Sequence, residues 1–123
     1  MDIKTFTKTF IKIFIILILV DLVWFKLIAL DRYKVMIKDI QGDILKPKMI
    51  PAAVVYIVMT LLLILFGTTD IKNFILGFSA FGIYDMTNLS IFDKFDAKFA
   101  VADMIWGGVL FTVTHRLNKT ILN

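Results

Sequence analysis

Three aspartates lie within long apolar stretches of the sequence, where acidic side chains are uncommon. They are Asp21, Asp85 and Asp103. An acid near the centre of a membrane-spanning helix costs about 2.5 kcal/mol or more, so it usually faces a partner, a cavity or a transported species. Carboxylates suit proton relays and hard cations. We therefore take these three residues as the candidates for chemistry.

Each aspartate has polar or aromatic neighbours at helical spacing. Asp21 and Asp103 each precede a tryptophan by three residues, which places acid and indole on one helical face. Asp85 has a phenol before it, and a hydroxyl and an amide shortly after it. We expect one polar cluster made of Asp21, Trp24, Tyr84, Asp85, Thr87, Asn88, Asp103 and Trp106. Tyr56 and Thr60 could join the cluster, although both also fit ordinary packing positions.

The elements that must position this cluster are four apolar runs. Hydrophobic residues make up 59% of the 123 residues, and the mean hydropathy is +0.87. A soluble domain of this size could not bury so much apolar surface. Since about 20 apolar residues span a bilayer, we predict one all-α membrane domain, residues 1–123, with four transmembrane helices in an antiparallel bundle. The predicted spans are residues 6–30, 50–68, 71–92 and 97–116.

Only one predicted connection, residues 31–49, is long. Apolar residues at positions 33, 36, 37 and 40 fit a short amphipathic helix lying on the membrane. Four spans predict a multi-pass protein with both termini on the same side. The basic residues are divided almost evenly between the two faces, so the positive-inside rule assigns no orientation.

The three aspartates fall at similar depths in this topology. At about 1.5 Å per residue, Asp21, Asp85 and Asp103 lie roughly 15, 12 and 10 Å from the face with the long connection. Small residues such as Gly77 and Gly107 let helices approach closely. The sequence therefore predicts one carboxylate layer, nearer the long-connection face.

Composition excludes several classes of site. The chain has no cysteine and a single histidine, which excludes disulfides, zinc thiolates, cysteine nucleophiles and a histidine metal cage within one chain. If a metal is bound, its ligands would be the three aspartates. The net charge of +4 comes from basic residues that flank the apolar runs, which favours contact with lipid headgroups over nucleic acid.

Three runs of residues resemble a known family. They are Asp-Leu-Val-Trp at 21–24, Tyr-Asp-Met-Thr-Asn-Leu at 84–89 and Asp-Met-Ile-Trp-Gly at 103–107. These runs, with Tyr33 and Tyr56, resemble the signature of domain-of-unknown-function family 2177, a family of small four-helix membrane proteins. The resemblance covers nearly the whole chain. It implies the four-span topology and implies no activity.

Three interpretations of function remain open. In the first, a proton, a cation or a small polar solute is conducted or carried through the carboxylate layer. We then expect a homo-oligomer, because four helices are few for a complete pathway, and a bound cation or lipid as the candidate cofactor. In the second, the protein is a non-catalytic scaffold or assembly factor whose polar cluster only fixes helix packing.

The third interpretation is an intramembrane enzyme that acts on lipids through paired aspartates. The sequence has no Ser–His pair, no metal motif with histidine or cysteine, and no glycine loop that would cradle a phosphate. These absences argue against an enzyme.

Overall fold

The computed structural model describes residues 1–121 as a bundle of helices. The helices are α1 (Ile3–Trp24), α2 (Leu30–Gln41), α3 (Met49–Phe66), α4 (Asp70–Ile91) and α5 (Ala97–Thr120), and a π-helical turn, Phe25–Ala29, joins α1 to α2. Within the described residues, four continuous helices are long and apolar enough to cross a membrane. The predicted all-α membrane fold is therefore confirmed.

The predicted amphipathic segment is α2, but it is not a separate helix. It continues α1 through the π turn, so that Ile3–Gln41 is one helix of 39 residues. The reason is local, because the sequence has no glycine or proline between Ile3 and Gly42. Gly42 ends the helix with a positive φ of 76°, a conformation that glycine adopts without steric cost.

The π turn lies at the junction of α1 and α2. The backbone N–H of Leu30 donates to the carbonyl oxygen of Phe25, five residues earlier. One extra residue in a turn rotates the following helix by roughly 100° about its axis. After this rotation, Tyr33 packs edge-on against Phe99 of α5, with ring centroids 5.1 Å apart.

The closest helix contact joins α4 and α5, which form a hairpin. Gly77 and Gly107 face each other at the contact, where a Cβ on Gly77 would come within 2.0 Å of the Gly107 carbonyl oxygen. α1 packs against both α5 and α3, whereas α3 has little contact with α4. A space therefore remains between α3 and α4.

Two apolar clusters divide the interior of the bundle. The first contains Ile13, Leu17, Met59, Leu63, Leu110 and Phe111. The second contains Ala29, Met36, Phe95, Phe99 and Ala100. Asp21 in α1 and Asp103 in α5 each lie, along their helix, between residues of the first cluster and residues of the second. The polar side chains are thus separated from both ends of the bundle by apolar packing.

Candidate functional site

Two reciprocal tryptophan–aspartate hydrogen bonds join α1 to α5. Trp24 Nε1 donates to Asp103 Oδ1 at 3.0 Å, and Trp106 Nε1 donates to Asp21 Oδ1 at 2.8 Å. Because the two helices run in opposite directions, the acid of each helix is level with the indole of the other. The sequence places acid and indole on the same helical face, and the structure shows that each acid bonds the indole of the other helix.

The two indole rings that donate these bonds also stack on each other. The centroids of Trp24 and Trp106 are 5.5 Å apart, and their planes differ by 9°. Stacking restricts both rings, so each N–H is held in the direction of its carboxylate. The contact between α1 and α5 is therefore fixed by two hydrogen bonds and one aromatic pair.

Tyr56 of α3 supplies a further donor to Asp21. Its hydroxyl donates to Asp21 Oδ2 at 2.5 Å, so that each oxygen of this carboxylate accepts a hydrogen bond. A phenol in an apolar helix needs a partner for its hydroxyl, and this need is the sequence signal for Tyr56. Thr60 instead donates to the Tyr56 carbonyl oxygen, which is a local helical contact.

Asp85 of α4 is completely buried, with 0% of its surface exposed. Neither of its oxygens accepts a hydrogen bond from any donor within residues 1–121. Its carboxyl group lies beside that of Asp103, close enough for a proton on one to be shared with the other. We call Asp85 and Asp103 the acid pair, and we call the acid pair with Asp21, Trp24, Tyr56 and Trp106 the polar layer.

No basic side chain within the described residues forms an ion pair with the polar layer. Within residues 1–121, the ion pairs are Arg32–Asp96, Lys46–Asp43 and Arg116–Asp70, and all involve exposed side chains. Two adjacent buried carboxylates repel each other when both are ionised and lack a cation. A shared proton or a bound cation would remove this repulsion, and these are the species that the acid pair could exchange.

A cavity of about 620 Å³ opens beside the polar layer, between α1, α3 and α4. Asp21, Asp103 and Tyr56 border it, and most of the remaining wall is apolar. Leu45 and Pro47, from the segment between α2 and α3, complete the wall. Asp85 does not border the cavity, so Asp103 connects the cavity to the buried member of the acid pair.

Two further tyrosines border the same cavity. Tyr84 is 51% exposed and borders the cavity together with Tyr33. The two phenol groups are within interaction distance of each other. Sequence reasoning included Tyr84 in the cluster and did not propose Tyr33 as a site residue, because the π turn that rotates Tyr33 toward the bundle has no clear signal in the sequence.

Thr87 and Asn88 are not brought into the polar layer. Thr87 is exposed and Asn88 is partly buried. Within the described part of the chain, no side-chain hydrogen bond joins either residue to the three aspartates. Thr87 is two positions from Asp85, which is roughly 200° around a helix, so it faces away when Asp85 faces the core.

A metal ion held by the three aspartates stays a prediction of the sequence. Among residues 1–121, no group of three or more histidine or acidic side chains is arranged to hold a metal ion. Asp21 already accepts hydrogen bonds on both oxygens, from Tyr56 and Trp106. Of the three predicted ligands, Asp21 therefore already has both carboxylate oxygens engaged.

Comparison with known proteins identifies one family. A family described as "Predicted membrane protein (DUF2177)" matches residues 6–118, which is nearly the whole chain. No curated protein and no solved structure matches the chain.

Proposed function

The chain belongs to this family of predicted membrane proteins, and we propose that it is a carrier that exchanges a small cationic solute for a proton at the polar layer. The observation that supports this most strongly is the acid pair. Asp85 is fully buried without a hydrogen-bond donor in residues 1–121, and its neighbour is a second carboxylate, Asp103. Such a pair is stable with a shared proton or with a cation nearby.

The route by which a solute would affect the proton passes through Asp103. This residue borders the cavity and also contacts Asp85. A cation held in the cavity would attract negative charge onto Asp103, and the shared proton would be released. Proton and cation would thus compete for the same carboxylates, which is the requirement for exchange.

The groups that surround the acid pair leave it negatively charged. Asp21 approaches Asp103 from α1, and the phenols of Tyr33 and Tyr84 approach from α2 and α4. Tyr56 of α3 reaches Asp21 and bonds it. All these groups are acidic or neutral, so they favour uptake of a proton or a cation.

Transport can be tested in liposomes that contain the pH dye pyranine. Outward gradients of potassium, tetramethylammonium and benzyltrimethylammonium, none of which carries a proton, would be imposed in turn, and the internal pH recorded. We expect at least one cation to drive acidification by the wild type. Asp85→Asn should abolish the response, because an amide cannot share a proton in the same way. Asp93→Asn is the matched control, since Asp93 is exposed beyond the end of α4.

Two results would contradict the proposal. One is internal pH that stays at the level of protein-free liposomes with all three cations. The other is an equal response from the wild type and Asp85→Asn. In both cases the acid pair would not exchange protons for cations.

We also propose that the carrier is a homo-oligomer. Residues 1–121 of one chain offer four candidate spans, and a solute that crosses the bilayer needs access from both faces. Cross-linking in native membranes should capture a dimer or a larger assembly. Recovery of monomers only, at cross-linker levels that capture a known dimer, would contradict this part of the proposal.

A scaffold is the second candidate function, and the reciprocal tryptophan–aspartate bonds favour it. These bonds and the stacked indoles connect α1 to α5, which is the arrangement expected of a helix-packing device. A scaffold predicts that Asp85→Asn changes stability or partner binding and leaves ion flux unchanged. The liposome experiment therefore separates the two candidates.

A further inference from the structure

The cavity beside the polar layer has one acidic end and a large apolar wall. Asp21 and Asp103 are its acidic residues, and α3 contributes an apolar stretch of wall that includes Val54, Val55, Val58 and Leu62. We propose that the solute is an amphiphilic organic cation, bound with its ammonium group at Asp21 and Asp103 and its apolar body along α3. The claim that this cation is transported rests on the proposed function, whereas the claim that it binds in the cavity does not.

Charge complementarity is the first argument for a cation. Among the described residues that line the cavity, none is a lysine, an arginine or a histidine. Asp21 receives hydrogen bonds only from the neutral donors Tyr56 and Trp106, so no side-chain charge in residues 1–121 pairs with it. An anion would be repelled by this end of the cavity, and a neutral apolar molecule would leave the carboxylates uncompensated.

The composition of the wall favours an organic cation over a metal ion. The residues of the polar layer are not arranged to replace the water shell of a metal, and a hard cation needs several oxygen ligands. The cavity is instead lined by several aromatic side chains, namely Trp24, Phe25, Tyr33, Phe81 and Tyr84. Aromatic rings attract weakly hydrated ammonium groups through their negative faces.

The position of the cavity is consistent with access from the lipid. Val54, Val55 and Val58 on its wall are each about half exposed on the outer surface of α3. Contacts between α3 and α4 are sparse, so the cavity opens sideways between them. An amphiphile concentrated in a membrane would reach it without passing through the apolar clusters of the bundle.

Binding can be measured directly in lipid nanodiscs with radiolabelled benzyltrimethylammonium. We expect saturable binding that unlabelled probe displaces. Neopentylbenzene has the same shape without the charge, and it should displace the probe at least tenfold more weakly. Benzenesulfonate should not displace it. Because cation and proton compete, affinity should rise as the pH rises, by at most about tenfold per pH unit for one displaced proton.

Three variants distinguish a loss of binding at the cavity from a loss of binding caused by misfolding. Asp103→Asn should weaken binding at least tenfold. Val58→Trp fills the cavity from an exposed position of α3 and should also weaken binding at least tenfold without disturbing the buried interior. Ile57→Trp is its matched control, because Ile57 is 40% exposed and does not line the cavity; it should bind normally.

The outcomes distinguish this inference from the proposed function. No saturable binding, equal displacement by neopentylbenzene, or normal binding in Val58→Trp would each overturn the inference. Binding of benzyltrimethylammonium without any cation-driven pH change in liposomes would contradict the carrier and leave the binding site in place. A potassium-driven pH change without benzyltrimethylammonium binding would overturn the binding site and leave the proposed carrier in place.

Discussion

Gly77 and Gly82 lie on the same helix and provide a matched test of the α4–α5 contact. A Cβ on Gly77 would lie 2.0 Å from the backbone oxygen of Gly107, whereas ordinary contact begins at 3.4 Å. For a Cβ on Gly82, the nearest atom would be the terminal methyl of Met104, at 2.9 Å. The methionine side chain can move aside, but the backbone oxygen can move only if the two helices separate.

The expected free energies of unfolding differ accordingly. Both Gly→Ala changes gain about 1 kcal/mol from helix propensity, and this gain cancels in the comparison. Overpacking a close contact costs about 1–3 kcal/mol. We therefore expect Gly77→Ala to be less stable than Gly82→Ala by about 1–3 kcal/mol, with Gly82→Ala close to the wild type or more stable.

The assay is reversible unfolding in mixed micelles with increasing sodium dodecyl sulfate, followed by circular dichroism. Separation of α4 from α5 would also move the α4 wall of the cavity, which includes Phe81 and Tyr84, away from Asp103, so Gly77→Ala should bind benzyltrimethylammonium more weakly than Gly82→Ala does. Equal stabilities within about 0.5 kcal/mol, the usual scatter for substitutions that disturb nothing, would refute the close contact and the reasoning built on it.

Two further predictions concern single contacts. Trp24→Phe and Trp106→Phe each keep an aromatic ring and remove one N–H donor. Each should therefore lower the free energy of unfolding by about 0.6–1.7 kcal/mol in the same assay. Wild-type stability of both variants would contradict the reciprocal bonds. At the start of α1, the Thr5 backbone N–H donates to Asp2 and lowers the pKa of the Asp2 carboxyl below 3.8. The resulting stabilisation of the first turn of α1 is complete above pH 3.8 and is lost as the pH falls through the lowered pKa of Asp2. Amide exchange at Thr5, measured by NMR, should therefore show extra fraying in acid that Asp2→Asn, which caps without titrating, does not show; identical pH profiles would exclude this cap.

The helices themselves could be predicted because hydropathy and length dominate their formation. A span such as Met49–Phe66 has no charge, and within a bilayer a helix satisfies the backbone groups of such a segment internally. The end of the first helix was harder to predict, because residues 31–41 are polar enough to suggest a connection. Without a glycine or proline before Gly42, however, the helix has no reason to stop.

The members of the polar layer could be proposed from their types, but their partners could not. Helical spacing relates residues on one helix, and the bonds between Trp24 and Asp103 and between Trp106 and Asp21 depend on the register of two helices. That register follows from close packing, which no pattern within one helix specifies. The place of Tyr33 beside the cavity depends on the π turn. It could not be predicted either, because no pattern in the sequence specifies that turn.

The central claim is that a cation and a proton compete for the acid pair, and counting protons tests it most directly. Benzyltrimethylammonium has no proton of its own to lose. Its addition to the protein in weakly buffered nanodiscs should release close to one proton per cation bound to the wild type, and none in Asp85→Asn. Saturable binding to the wild type without any proton release would contradict the claim.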